Sequence, residues 1–283
     1  MKRVLLAHTF ILSLLILASC NGKNGTDQFT LSPDGVEICY SSYGKGKDLI
    51  VFVHGWCCDK SYWDSQVMEF SKNFQVVTID LGGHGKSGVE REDWTMQAFG
   101  DDVNAVLEKF AFDRVYLVGH SMGADVVIEA AASNNRKNMD LILVDRFREN
   151  PEPWQEDLME KFLVPFVNDF PAIAKDWVSG PNFFVSESDP DLVERVSNDM
   201  SQEDPDIALS AFRNLFRNDI RSAIVSLRDR EIKMTAINSD YKEMDTTIMK
   251  ELGINTIIMS EVGHFVMMEK PEEFNKILHQ LTD

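Results

Sequence analysis

Ser121 sits between glycines in Gly119-His120-Ser121-Met122-Gly123, after the apolar run Val115-Tyr116-Leu117-Val118 and before a stretch rich in small residues, 124–132. A serine hydroxyl is a poor nucleophile unless a base takes its proton, a third group orients that base, and donors await the developing oxyanion. The chain offers candidates for each part. Of its six histidines, His264 in Val262-Gly263-His264-Phe265 follows an apolar run and lies downstream of the serine. His8 falls in a leading apolar segment, His54, His84 and His120 in glycine-rich turns, and His279 near the end of the chain. Two aspartates compete for the orienting acid. Asp240 in Asn238-Ser239-Asp240 is preferred, because it follows the penultimate strand and precedes His264; Asp145, which ends an earlier strand, is the alternative. Backbone N–H groups of Trp56 and Met122 are the oxyanion donors expected. Catalytic Ser121, Asp240 and His264 would together carry out acyl transfer through an ester on the serine.

Such groups must be brought together by elements far apart in sequence. A serine on a sharp strand-to-helix turn is held in a strained conformation, and glycines two before and two after it let helix and strand pass closely. Buried strands are expected at 48–53, 74–80, 115–118, 141–145, 232–238 and 254–260, with helices near 61–71, 95–110 and after each late strand. A hairpin with Ser32-Pro33-Asp34-Gly35 at its turn precedes them. Strands alternating with helices imply a parallel sheet covered on both faces, with ligands at the carboxyl ends of its strands. Residues 146–228 differ in character. Seven of the nine prolines lie between Pro151 and Pro205, with helical patterning and no clear strand. Phe162, Phe166 and Phe170 recur at four-residue spacing, as do Phe212 and Phe216, which predicts an inserted helical cap with aromatic faces. Some of these rings, with Trp177, Phe183 and Phe184, should line an apolar cleft.

With 283 residues, 44% hydrophobic, the chain can build a substantial core. A formal charge of −18 argues against nucleic acid, anionic lipid headgroups and polyanionic substrates as main partners, since long-range repulsion opposes each encounter. Met1-Lys2-Arg3 followed by the apolar run Val4 to Leu17 reads as a secretory signal, too short to span a bilayer. Its end, Leu17-Ala18-Ser19-Cys20, resembles the lipobox of bacterial lipoproteins, with Cys20 as the lipid attachment and 20–28 as a tether. The expectation is an exported protein on a periplasm-facing or cell-surface membrane, with no obligate protein partner evident. Cys39, Cys57 and Cys58 then read as buried free thiols. No metal-binding His/Cys spacing occurs. Gly83-His84-Gly85-Lys86-Ser87-Gly88 matches a dinucleotide fingerprint, but its helix starts too far along for those glycines to open it.

In the order His54-Gly55-Trp56, Asp80-Leu81-Gly82-Gly83-His84-Gly85-Lys86-Ser87, Gly119-His120-Ser121-Met122-Gly123, Asp240, and Gly263-His264-Phe265 with Glu269-Lys270-Pro271-Glu272-Glu273-Phe274 behind it, the chain resembles the α/β-hydrolase superfamily, in its capped, lipase/esterase-like branch. Asn238-Ser239-Asp240 is shorter than the Gly-x-x-Asp common there, and some members of the family place the acid where Asp145 stands. The resemblance implies an α/β fold with an eight-stranded, mostly parallel sheet, a core at 29–145 and 229–283, a cap at 146–228, and a hydrolase without cofactors. A carboxylic ester of a small to medium uncharged molecule is the substrate expected. The same triad serves perhydrolases and hydrolases of amide, thioester or carbon–carbon bonds, and the same fold serves binding proteins that have lost it.

Overall fold

The computed structural model describes residues 25–147 and 151–282. The signal and Cys20 lie outside them. Strands β1 (Asp27–Leu31) and β2 (Glu37–Tyr43) form the opening hairpin, followed by β3 (Leu49–Val53), a 3-10 turn at Lys60–Trp63, α1 (Asp64–Phe70), β4 (Gln75–Ile79), α2 (Met96–Leu107), β5 (Val115–His120), α3 (Met122–Ser133) and β6 (Met139–Val144). Helices α4 (Glu156–Asn168), α5 (Phe170–Ser179), α6 (Pro190–Ser201), α7 (Pro205–Arg217) and α8 (Ile220–Asp229) come next. The chain closes with β7 (Lys233–Ser239), α9 (Thr246–Glu251), β8 (Ile254–Met259), α10 (Val266–Glu269) and α11 (Pro271–Thr282).

The strands make one eight-stranded sheet in the order β1-β2-β4-β3-β5-β6-β7-β8. β2 runs antiparallel to both its neighbours, and all other pairs are parallel. The continuous apolar runs follow from this: β3 and β5 have parallel neighbours on both sides and helices over both faces, so every residue of Leu49–Val53 and Val115–His120 is buried. Helix α2 packs on α3 and α3 on α8, while α1 packs on α11. From β3 the chain goes to β4 on one side, whereas β5 lies on the other, so a crevice opens beyond the carboxyl ends of β3 and β5.

Between β6 and β7 the described residues form helices and no strand. Helix α8 belongs with the core, lying along α3, with the Asn218 amide just before it donating to Glu129 Oε1 at 3.1 Å. The aromatic stripe expected over 162–170 is broken. Asp169 ends α4 and caps α5, its carboxylate accepting from the Ala172 amide with Pro171 in the first turn, so Phe170 starts a new helix.

Candidate functional site

Ser121 stands at the turn from β5 to α3 with φ 52° and ψ −120°. Its own amide donates to the Val144 carbonyl at 2.9 Å, tying the turn to β6. The flanking glycines are sterically required: a Cβ on Gly119 would fall 2.1 Å from the Gly123 carbonyl oxygen, and one on Gly123 would fall 2.5 Å from that of His54. Among the described residues the hydroxyl has no hydrogen-bond partner and opens into the crevice.

The turn after β3 carries the Trp56 amide and passes so near the elbow that a Cβ on Gly55 would fall 3.3 Å from Ser121 Cβ; the Met122 amide is the first of α3. Neither donates to another group among the described residues, so both remain available to an oxygen arriving beside Ser121. Two side chains fix the turn. His54 accepts the Leu81 amide on Nε2 at 3.0 Å and therefore donates from Nδ1 to the Gly55 carbonyl at 2.8 Å, a neutral tautomer. Burial, with the neighbouring His84, holds its pKa well below the ordinary value. Trp56 donates its indole N–H to the Ala208 carbonyl of α7 at 2.8 Å and stacks on Phe212.

His264 follows β8, and its Nδ1–H donates to Asp145 Oδ2 at 2.6 Å. That leaves Nε2 as an acceptor. Asp145 has its side chain fully buried, and its other oxygen accepts both the Ser239 amide and the Ser239 hydroxyl, each at 2.8 Å. The preference for Asp240 is thereby corrected. Asp240 continues the β7–β8 ladder, its amide donating to the Met259 carbonyl, and its exposed carboxylate accepts the Glu261 amide at 3.1 Å. Alternation along the strand sends its side chain away from that of Ser239, the residue that meets Asp145. Asp145 reaches the base because its backbone leaves β6 at φ 50°.

Residues 50–277 match the Alpha/beta hydrolase family. The chain belongs to that family. It is 26% identical over 254 residues to karrikin insensitive 2 receptor CA of Petunia hybrida, and 27% identical over 255 residues to a probable esterase of Oryza sativa subsp. japonica. Each match covers 81% of this chain and 89% of the relative. Its fold superimposes with a TM-score of 0.77 on a thermophilic esterase from Thermogutta terrifontis, at 19% identity, covering 91% of this chain and 98% of that one.

In this α/β hydrolase, Ser121, His264, Asp145 and Trp56 line one cavity of about 390 Å³ under the helices α4–α7. Of the rings expected there, Phe162, Trp177, Phe183, Phe212 and Phe216 line it, while Phe166, Phe170 and Phe184 are buried outside it. Phe147 and Trp154 add walls that helical periodicity could not show, since both lie in irregular segments. Two cations also border the cavity. Arg146 donates to the buried Asp125 at 2.7 Å, and Lys242 to the Asn182 carbonyl at 3.1 Å. Cys58 lines the cavity too, but burial pushes the Cys57 and Cys58 thiols well up, so neither supplies a thiolate to rival the serine. All three described cysteines are buried free thiols.

Proposed function

We propose that this hydrolase is a serine esterase that forms an acyl-enzyme on Ser121, with His264 as the base, Asp145 as the acid that orients it, and the Trp56 and Met122 amides as the oxyanion donors. The observation that carries this reading is the 2.6 Å His264–Asp145 hydrogen bond in a cavity shared with a strained, half-buried serine. In the first half-reaction Ser121 Oγ attacks the ester carbonyl while its proton passes to His264 Nε2, and the carbonyl oxygen gains its negative charge between the two amides. The imidazolium returns the proton to the departing alcohol. Water then enters and attacks the acyl carbonyl as its proton passes to His264; the imidazolium gives that proton to Ser121 Oγ as the acyl–Oγ bond breaks, and the acid leaves. Throughout, Asp145 holds the tautomer that keeps Nε2 facing the serine and stabilises the imidazolium.

An aromatic, partly enclosed cavity favours small to medium uncharged esters, because each buried methylene adds roughly 0.8 kcal/mol only while there is room for it. Fluorophosphonate labelling followed by an ester panel graded in acyl length tests both halves. Labelling at Ser121 is expected, with specificity constants that rise and then fall with chain length. A flat profile out to long acyl chains, or activation at an emulsion interface, overturns the enclosed pocket; absence of labelling overturns the nucleophile.

The protein is also proposed to be exported and held on a membrane through lipid on Cys20, on the strength of Leu17-Ala18-Ser19-Cys20 after the apolar run. Several acyl chains on one cysteine would anchor it firmly where one would not. Fractionation with membranes that is lost in Cys20→Ser supports this; an unmodified N-terminus on the membrane-derived protein refutes it.

A further inference from the structure

The backbone around His264 is held from outside its own loop. Its amide donates to the Phe183 carbonyl at 2.5 Å, and its carbonyl accepts His120 Nε2–H at 2.9 Å. On either side, the Gly263 amide reaches both oxygens of the Glu269 carboxylate at 3.0 Å, and the Phe265 amide reaches Oε1 at 3.2 Å. The same carboxylate accepts the Ser188 hydroxyl at 2.6 Å. Phe183 and Ser188 belong to the segment joining α5 to α6, which is part of the helical cover. That segment lies so close that a Cβ on Gly263 would fall 2.2 Å from the Phe183 carbonyl oxygen, and the Phe183 ring stands edge-on to the His264 imidazole at 5.1 Å.

We infer that Glu269 is a positioning residue for the base: one carboxylate braces both neighbours of His264, takes the Ser188 hydroxyl from the cover, and so makes the alignment of His264 on Asp145 depend on where the cover sits. Hydrogen bonds from amides to an ionised carboxylate are roughly twice as strong as neutral ones, which suits a brace that must hold against loop motion. Displacing catalytic groups by about 1 Å can cost of order 100-fold in rate, so a short His264–Asp145 bond leaves little slack. The inference rests on the proposed triad. It assigns the α5–α6 segment a part in setting the base as well as in roofing the cavity.

A carboxylate that only capped the four-residue α10 would steady the loop without touching the His264–Asp145 hydrogen bond, and that difference is measurable. The experiment compares Glu269→Gln, Glu269→Asp and Ser188→Ala with the parent protein, reading kcat and KM on a short-chain ester and, by proton NMR, the signal of the His264 Nδ1–H that is bonded to Asp145. Glu269→Gln is expected to lower kcat about tenfold with KM within about twofold, the signature of a loss felt in the transition state. The signal of the His264 Nδ1–H should move upfield and broaden in step, because a loosened imidazole makes a longer hydrogen bond to Asp145. Glu269→Asp should recover part of both effects, and Ser188→Ala should show both at about a third of the size. A Glu269→Gln protein with the parent's kcat and the parent's His264 Nδ1–H signal overturns the assignment, whatever its melting temperature. If that variant does not fold, Ser188→Ala decides by the same two readouts. A parent protein inert to fluorophosphonate would fail the esterase reading instead, and the Nδ1–H signal would still decide the role of Glu269.

Discussion

Strands β6 and β7 lie side by side and each is followed directly by an aspartate, yet the two carboxylates have opposite surroundings. Asp145 departs from β6 at φ 50°, is fully buried at its side chain, and meets His264 on one oxygen and Ser239 on the other. Asp240 stays in the ladder with β8 and turns an exposed carboxylate to the Glu261 amide. The left-handed backbone is what separates them. A non-glycine residue held there costs of order 1 to 3 kcal/mol, and it persists where the surroundings over-determine it. Ser121, one strand further in, uses the same device at φ 52°. Adjacent strand ends thus spend backbone strain to aim a hydroxyl and a carboxylate into one cavity, while the relaxed end of β7 supplies a serine that bonds the Asp145 carboxylate.

The most direct way to break the comparison is to remove the groups the two ends would serve. Ser121→Ala and His264→Ala should each lower kcat by about 10⁴-fold or more with the fold retained, measured on an ester that the parent turns over well. Next in size is the exchange at the acid. Asp145→Asn should cost about 10³- to 10⁴-fold in kcat, since an amide stabilises the wrong tautomer of His264 and no imidazolium, whereas Asp240→Asn should stay within about threefold. The opposite ranking in side-by-side kinetics would move the role to Asp240.

What could be read from the chain alone divides along the same line. The elbow is a local object: Gly119 and Gly123 lie within two residues of Ser121, and the steric need for them is met inside one turn. The strands were legible for a similar reason, since Leu49–Val53 and the run from Val115 are buried end to end and stay apolar throughout. The acid is a long-range object. Asp145 and Ser239 are 94 residues apart and meet only through the β6–β7 register, and nothing in Val144-Asp145-Arg146 announces a positive φ. The shortness of Asn238-Ser239-Asp240 was the one local hint that β7 does not present the acid. The cap was legible as helices, but not which rings face the cavity. Phe162 and Phe166 share a stripe on α4, yet Phe162 borders the cavity and Phe166 packs beside it, because the partners across the cap choose.

The ends of β3 and β5 sharpen the contrast in another quantity, stability against acid. Burial and the nearby His264 lower His120 to about 3, and burial with His84 lowers His54 well below its ordinary value. In the unfolded chain both should titrate near about 6.5. Between these limits the unfolded chain takes up protons that the native state refuses, so the histidines' contribution is fully present above about 6.5 and is lost as the pH falls toward the folded values. The free energy of unfolding should drop by roughly 1.4 kcal/mol per pH unit for each histidine as the pH goes from about 6.5 to about 5, above the range where most carboxylates contribute. Urea denaturation at several pH values measures the slope. A stability that is level over that window would mean that these imidazoles are not held neutral by the fold.

The smallest effect comes from the residue that β7 does contribute. Ser239 gives Asp145 two hydrogen bonds on the same oxygen, one from its amide and one from its hydroxyl, both 2.8 Å long. Ser239→Ala removes the hydroxyl and keeps the amide, so the carboxylate retains one donor from β7 besides His264 itself. A hydrogen bond to a charged group is worth about 1.5 to 3 kcal/mol, and part of that loss is recovered when a second donor already serves the same oxygen. The expected result is a fall in kcat of about fivefold with KM unchanged, far less than for Asp145→Asn and more than for Asp240→Asn. Should Ser239→Ala prove silent, the carboxylate of Asp145 is held without the help of the hydroxyl. Should it match Asp145→Asn, the hydroxyl orders the acid's carboxylate, and the end of β7 matters to the site as much as the end of β6.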